Sequence, residues 1–452
     1  MLAVLTVPLF MALMSVSIVN VSLPAIQVGL DASTAQVQWV LSGYSLAFGL
    51  LLVPAGRLGD VFGRRRLFVL GVGLFVLGSL ASALAPTATL LNVARLVTGV
   101  GSGLFNPQIV GMIQQYFSGA ARARAFGVIG SFIGLALAVG PLLGGVIIQT
   151  LGPEAGWRWV FGVNVPVGVL AVVLAMLWLP RPERRARGRV DLDPVGIGIF
   201  GVAILLLMLP FLQVTDAVWR FAALPMALAG LWGWVRWERR YRGRGGAPMV
   251  DLGVFTDRGF GYGTAVVSTY FLGLTPSWAV VALFVQQGLG ESALVAGLIT
   301  LPGALAGAAT SVVGGRLVTR LGRPLVAAGA VTAAAGLVGV GVLAAPIAAG
   351  ELPLWTLAVA FGVTGAAQGM VIGPNQSITL ADVPLDYAGA AGGVLQTGQR
   401  VGGAVGLAVG TGVLFAVLPG SGWPTAVLVA FLVMATFTLL AALLAVADSR
   451  RR

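Results

Sequence analysis

Gly56-Arg57-Leu58-Gly59-Asp60-Val61-Phe62-Gly63-Arg64-Arg65 joins two long apolar stretches, and Gly315-Arg316-Leu317-Val318-Thr319-Arg320-Leu321-Gly322-Arg323 joins two others 259 residues further on. Both segments keep G-R-L and G-R at the same internal spacing, so a short basic loop has been duplicated together with its surroundings. The surroundings are not those of a soluble protein. Of 452 residues, 58% are hydrophobic and 9% charged, and the mean hydropathy is +0.97. A globular domain carries about 25% charged residues, so there is too little charge here to coat soluble domains of this total length. Soluble enzymes, nucleic-acid binders and disulfide scaffolds are excluded on that ground. The chain has no Cys and no His, which removes thiolate chemistry, the commonest metal ligand and the side chain that titrates near neutrality. We therefore expect no metal site and no cofactor.

A stretch of about 20 apolar residues spans a bilayer as a helix. Fourteen such stretches follow one another, at roughly 4–23, 38–56, 67–86, 88–115, 126–149, 160–179, 195–213, 218–235, 260–286, 293–312, 325–348, 353–375, 388–417 and 424–446. They are too long, and too uniformly apolar, for barrel strands of alternating polarity. All 27 basic residues are Arg. Nearly all fall in the loops after even-numbered stretches or in the tail: Arg57, Arg64 to Arg66, Arg122, Arg124, the runs Arg181–Arg189 and Arg236–Arg258, Arg316, Arg320, Arg323 and Arg450–Arg452. The loops after odd-numbered stretches hold only Arg158 and Arg220. Basic loops stay on the cytoplasmic side, which predicts a multi-pass protein of the cytoplasmic membrane with both termini inside. The net charge of +12 is then an orientation signal directed at anionic lipid, and the arginine runs need no nucleic-acid partner.

The repeated loop follows the second span and the tenth. That placement predicts two related six-helix halves, residues 1–180 and 259–452, with spans 7 and 8 and their cytoplasmic linkers (181–258) inserted between them. Parallel six-helix halves around a central cavity are an architecture of secondary transporters. The expected class is thus an all-α integral membrane protein of fourteen transmembrane helices.

Five segments carry a resemblance to a known family. Span 1 ends Ile18-Val19-Asn20-Val21-Ser22-Leu23-Pro24, and the loop after span 2 has the G-R-L-G-D-x-x-G-R-R pattern. Span 4 has Arg95-Leu96-Val97-Thr98-Gly99-Val100-Gly101, and span 5 has Gly140-Pro141-Leu142-Leu143-Gly144-Gly145. Trp157-Arg158-Trp159-Val160-Phe161 and Asn164-Val165-Pro166 precede or open span 6. In this order, and with an inserted helix pair, the chain resembles the fourteen-helix drug:proton antiporter family of the major facilitator superfamily. The resemblance implies a multidrug or antibiotic exporter working by alternating access. Its partners would be a small-molecule substrate, protons and the lipid bilayer, and it would act as a monomer. It also implies that Asp60 latches the end of span 2 against the start of a helix of the other half, here span 13, and that Arg95 takes part in proton movement. The glycine–proline motif of span 5 is associated with exporters.

Gating and coupling residues expected on these grounds are Gly56, Asp60, Gly63, Arg64, Arg95, Gly140, Pro141, Gly144 and Gly145. A carboxylate at a helix N-terminus is worth roughly 0.3–1 kcal/mol, and up to ~2 when partly buried, enough to bias a gate that must reopen each cycle. Glycines at helical spacing let spans pack closely, and Pro141 permits a bend. A charge within a span costs at least ~2.5–3.5 kcal/mol unless paired or hydrated, so Arg95 and Arg400 must either face a cavity or be anchored on neighbouring carbonyls. Arg95 shares a stripe with Gly99, Ser102 and Asn106, and Arg400 shares one with Gln396 and Gly403. With Ser15, Asn20, Tyr44 and Gln108 they make the expected cavity lining.

One departure from the family stands out. The acid usual in span 1 is replaced by Ser15, and none of the 15 Asp and Glu residues falls in mid-span. Arginine stays charged at accessible pH and carries no titrating proton. Proton-linked export of an amphipathic drug or metabolite is the leading expectation. The alternative is a transporter of anionic or carboxylated solutes, which two buried positive charges would attract. An embedded enzyme is not expected, since the spans hold no nucleophile–base pair or metal ligands.

Overall fold

The computed structural model describes residues 1–181, 191–211, 221–256 and 258–450. The arginine run 184–189, Asp216 and Arg220, the end of predicted span 7, the start of predicted span 8 and the last two arginines lie outside the described residues.

The described chain is helical throughout, because a backbone crossing lipid must satisfy its own N–H and C=O groups. The helices are α1 (Leu2–Gly29), α2 (Thr34–Phe62), α3 (Arg64–Ala83), α4 (Ala88–Tyr116), α5 (Gly119–Gly162), α6 (Asn164–Trp178), α7 (Pro194–Met208), α8 (Ala223–Gly243), α9 (Arg258–Leu283), α10 (Ala293–Leu321), α11 (Arg323–Ala348), α12 (Trp355–Thr379) and α13 (Ala388–Ser449). Ten helical stretches of the described residues are long and apolar enough to cross a membrane. Two of them, Gly119–Trp178 with 60 residues and Leu385–Ser449 with 65, are too long for a single crossing. At about 1.5 Å per residue, either would reach roughly three times across a hydrocarbon core of about 30 Å. Each is broken at a glycine with positive φ: Gly152 (φ 77°), just before Pro153, and Gly422 (φ 71°), two residues before Pro424. The sequence expectation of fourteen spans meets its weakest support in the inserted pair. There α7 has only 15 residues, and the segment that would extend it is not described.

Capping follows the sequence. Ser33 opens α2 with a reciprocal capping box to Gln36, which satisfies two otherwise orphaned donors. Asp193 opens α7 ahead of Pro194 and accepts the Gly196 amide.

The chain forms two compact units that cut across the sequence halves at α5 and α13. The first takes in Met1–Tyr116, Val139–Thr256 and Val383–Thr397; the second takes in Phe117–Ala138, Asp257–Asp382 and Gly398–Arg452. In the first unit α4 packs against both α2 and α3, and α6 lies on α3 and α1. The inserted helices α7 and α8 pack on each other and on α2, where Phe200, Ile204, Met208 and Trp234 share a core with Leu46 and Val53. The second unit repeats the scheme: α12 packs against α10 and α11, so the duplicated loop reports a duplicated packing pattern. Its helices touch through glycine. A Cβ on Gly365 of α12 would sit 1.9 Å from the Gly303 carbonyl of α10.

Candidate functional site

The first copy of the duplicated loop is a densely bonded polar site in the first unit. Gly63 ends α2 and precedes α3 with φ 100°, a value that favours glycine. The chain therefore turns within one residue, and Asp60 and Arg64 stand a helical turn apart on either side. Arg64 donates from Nε (3.1 Å) and Nη2 (2.7 Å) to Asp60 Oδ1. Its Nη1 also donates to the Gly111 carbonyl and to Gln115 Oε1 of α4, both at 2.8 Å. Asp60 in turn accepts the Gly389 amide on both oxygens and the Ala390 amide on Oδ2, each at 3.1 Å. These are the first amides of α13. The carboxylate thus caps the positive end of a helix while paired with a guanidinium, and both side chains are buried. Arg64 Nη2 also donates to the Leu385 carbonyl, just upstream of α13.

The glycines of the motif are explained by what faces them. A Cβ on Gly56 would lie 2.3 Å from the Gly389 carbonyl, and one on Gly59 would lie 1.7 Å from Gln108 Oε1. Gln108 is fully buried and donates Nε2 to the Ala55 carbonyl (2.7 Å) and to its own turn at Leu104.

Arg95 forms a second cluster with Ser15, Tyr44 and Ser102. Its side chain is 1% exposed and donates Nε to the Val40 carbonyl and Nη1 to Ser15 Oγ, both at 3.1 Å. The guanidinium lies 4.3 Å from the Tyr44 ring centroid and 5.6 Å from that of Phe161. Tyr44 donates or accepts with Ser102 Oγ at 2.8 Å and reaches the Ala12 carbonyl at 3.1 Å. Arg95 Nη2 has no hydrogen-bond partner, and neither does Asn106 Nδ2 further along the same stripe of α4. Within its unit Arg95 has the geometry of an anchored arginine held by a carbonyl, a hydroxyl and two aromatic faces, and it forms no ion pair among the described residues.

The remaining expected residues are dispersed. Asn20 is exposed and bonds back to its own helix at Val16. A Cβ on Gly140 or Gly144 would strike Ser17 or Ile18 of α1, whereas one on Gly145 would meet nothing within 4 Å. The helix runs through Pro141, and its departure from helical geometry comes at Gly152. Gln396 and Arg400 are half-buried on α13, the first in one unit and the second in the other.

The second copy of the loop is built differently. Thr319 holds the position of the acid and only bonds back to Arg316. Arg323, the counterpart of Arg64, is buried and pairs with Asp448 near the end of α13. It also donates to Asn375, to Thr379 and to the Gly259 carbonyl. All of these partners lie inside the second unit. Sequence reading missed this pair, because an acid at the end of the last span is indistinguishable from a tail charge. It also missed Gly389 and Ala390 as donors; the only signal is a run of small residues after Tyr387.

Comparison with known proteins gives the same architecture. The family model of the Major Facilitator Superfamily matches residues 5–407. The chain is 36% identical over 415 residues to the probable actinorhodin transporter of Streptomyces coelicolor, covering 91% of this chain and 71% of that one. It is 35% identical over 410 residues to the cephamycin export protein CmcT of Amycolatopsis lactamdurans, covering 88% and 82%. Among solved structures it resembles the human organic anion transporter MFSD10, with a TM-score of 0.69 at 15% identity over 98% of both chains, a likeness of fold. The paired helix bundles, the glycine-lined contacts and the duplicated loop belong together: the chain is a multi-pass membrane protein of the major facilitator superfamily.

Proposed function

We propose that this protein exports amphipathic antibiotic-like or drug-like molecules across the cytoplasmic membrane by alternating access, in exchange for protons, and that it works as a monomer. The observation that carries the alternating-access part is the Asp60 carboxylate on the first amides of α13. It is a contact of modest energy between the end of one helix and the start of another, suited to being made and broken in each cycle. The cargo class is supported by relatives named for actinorhodin and cephamycin export and for tetracenomycin C resistance and export. In this reading the chain crosses the membrane fourteen times, as residues 1–180, the inserted pair in 181–258, and residues 259–452. Both termini are cytoplasmic. Gly56, Gly63 and Arg64 support the Asp60 latch, Gly140, Pro141, Gly144 and Gly145 shape α5 against α1, and Arg95 with Ser15, Tyr44 and Ser102 stiffens the first unit beside the path. Asn20, Asn106, Gln108, Gln396 and Arg400 are candidates for contact with cargo.

The second reading, transport of a carboxylated solute, draws on one observation: buried Arg95 has an unused Nη2 and no acid partner. Reconstituted liposomes with an imposed pH gradient separate the two. A lipophilic cationic dye and a carboxylated amphiphile are offered in turn. Gradient-driven accumulation of the dye, abolished when the gradient is collapsed, is the expected result. Uptake of the carboxylate alone, indifferent to the gradient, establishes the second reading instead.

A further inference from the structure

The inserted helix pair contains a buried carboxyl group that pairs with no basic residue among the described residues. Glu238 of α8 is 1% exposed, and neither of its carboxylate oxygens has a hydrogen-bond partner. The Met249 and Val250 amides and the Trp234 indole approach it without closing a well-formed bond. Asp193, the N-cap of α7, is 0% exposed and close enough for its charge to act on Glu238. Asp193 Oδ1 is engaged by the Gly196 amide (2.9 Å) and the Trp237 indole (2.8 Å), while Oδ2 has no donor. Three acceptor atoms without a well-formed hydrogen bond, on two carboxyl groups that repel each other, describe a site that lacks one proton's worth of hydrogen bonding.

The described charges around it do not supply it. Asp191 binds the Tyr241 hydroxyl and the Ala247 amide, Arg242 pairs with Asp251, and Arg239 and Arg240 are exposed. Arg57 of α2 donates to the Asp191 backbone carbonyl, at 3.3 Å. No metal-holding group of carboxylates exists among the described residues. Glu238 lies beyond the predicted end of span 8, where water can deliver a proton.

We propose that Glu238 and Asp193 form a one-proton site in the inserted pair, and that its occupancy sets how firmly the Asp60 latch holds. The connection is short. Asp191 precedes Asp193 by two residues and holds Arg57, whose guanidinium lies 5.5 Å from the Tyr387 ring centroid. Tyr387 immediately precedes α13, and Arg57 stands one turn before Asp60. A proton on the pair removes one of two buried like charges and keeps α7, α8 and the 247–251 segment packed. Its loss drives them apart, pulls on Asp191 and loosens Arg57 from Tyr387.

The sign follows from the carboxyl's surroundings. Burial, with Asp193 adding to it, pushes Glu238 from 4.5 up to about 8. Wherever the site opens and hydrates, the group returns to its ordinary range. Between those values the proton stabilises the packed arrangement, and that stabilisation fades as pH rises through about 8.

The cytoplasmic sidedness of this sensor rests on the proposed exporter topology, but the proton site does not, so the test reads protonation without cargo. Infrared difference spectra of the purified full chain are recorded between pH 5 and 10. A protonated carboxyl band that disappears with a mid-point near 8, and is missing in Glu238→Gln, is expected. Asp193→Asn, which keeps the α7 cap, moves the mid-point down toward ordinary carboxyl values by about one pH unit or more. A band that survives in Glu238→Gln, a mid-point below 6, or a mid-point unmoved in Asp193→Asn overturns the site. For the link to the latch, bimane is attached at Leu385→Cys, the only cysteine in the chain. Its emission steps at the infrared mid-point and stays at the low-pH level in Glu238→Gln. A step in both proteins, or in neither, overturns the link.

Discussion

Asp60 is asked to do three things at once: neutralise Arg64, cap α13 and leave when the gate opens. Asp60→Asn keeps the size of the side chain and one carbonyl acceptor but loses the charge that both partners use. Arg64 retains the Gly111, Gln115 and Leu385 acceptors, so the variant folds. Its transport falls by roughly tenfold, the equivalent of about 1.4 kcal/mol of latch energy, as checked by initial dye uptake at equal amounts of reconstituted protein. Wild-type rates would remove Asp60 from the gate. Gly59 makes a complementary case. A Cβ there meets Gln108 Oε1 at 1.7 Å, whereas one on Gly73 meets nothing within 4 Å. Gly59→Ala lowers the thermal unfolding mid-point of the detergent-solubilised protein, Gly73→Ala does not, and adding Gln108→Ala recovers part of the loss. An unrescued double variant would show that the crowding lies elsewhere.

At the scale of elements, the two broken helices are divided where the apolar runs of the sequence divide. Apolar runs on both sides of Gly152 and Gly422 read as separate spans, and the structure breaks the helical path between them at those glycines. Gly152→Ala forces a left-handed φ on an L-residue and costs about 1–2 kcal/mol, whereas Gly145→Ala, with open space at its Cβ, is silent. Chemical denaturation of the two variants side by side checks the difference. The same elements show where sequence reading succeeds and stops. Span positions outside the inserted pair, the duplicated loop and the motif glycines were legible because hydropathy, length and close approach act locally along the chain. Arg323 with Asp448 and Glu238 with Asp193 were not, because each joins residues whose pairing depends on which helix faces which, and the partnership of Asp60 with the start of span 13 came from the family resemblance alone. Arg95 was legible as costly to bury. That Val40, Ser15 and two rings would meet the cost was not.

For the molecule as a whole, the arginine distribution makes an assertion about sides that the absence of native cysteine makes easy to check. Single substitutions Glu351→Cys, at an exposed loop, and Arg450→Cys, at the exposed tail, report on opposite faces. A membrane-impermeant maleimide labels the first in intact cells and the second only after permeabilisation; the reverse pattern would invert the topology and with it the direction of export. The interleaving of the two units has a consequence for how the chain is made. The first unit needs Val383–Thr397, and the second needs Asp448 to neutralise Arg323. During synthesis the early helices must therefore wait in the bilayer with Asp60 uncapped until residues 389 and 390 leave the ribosome. The α13 segment completes both units, so a product stalled before it is left unfinished in each rather than half built.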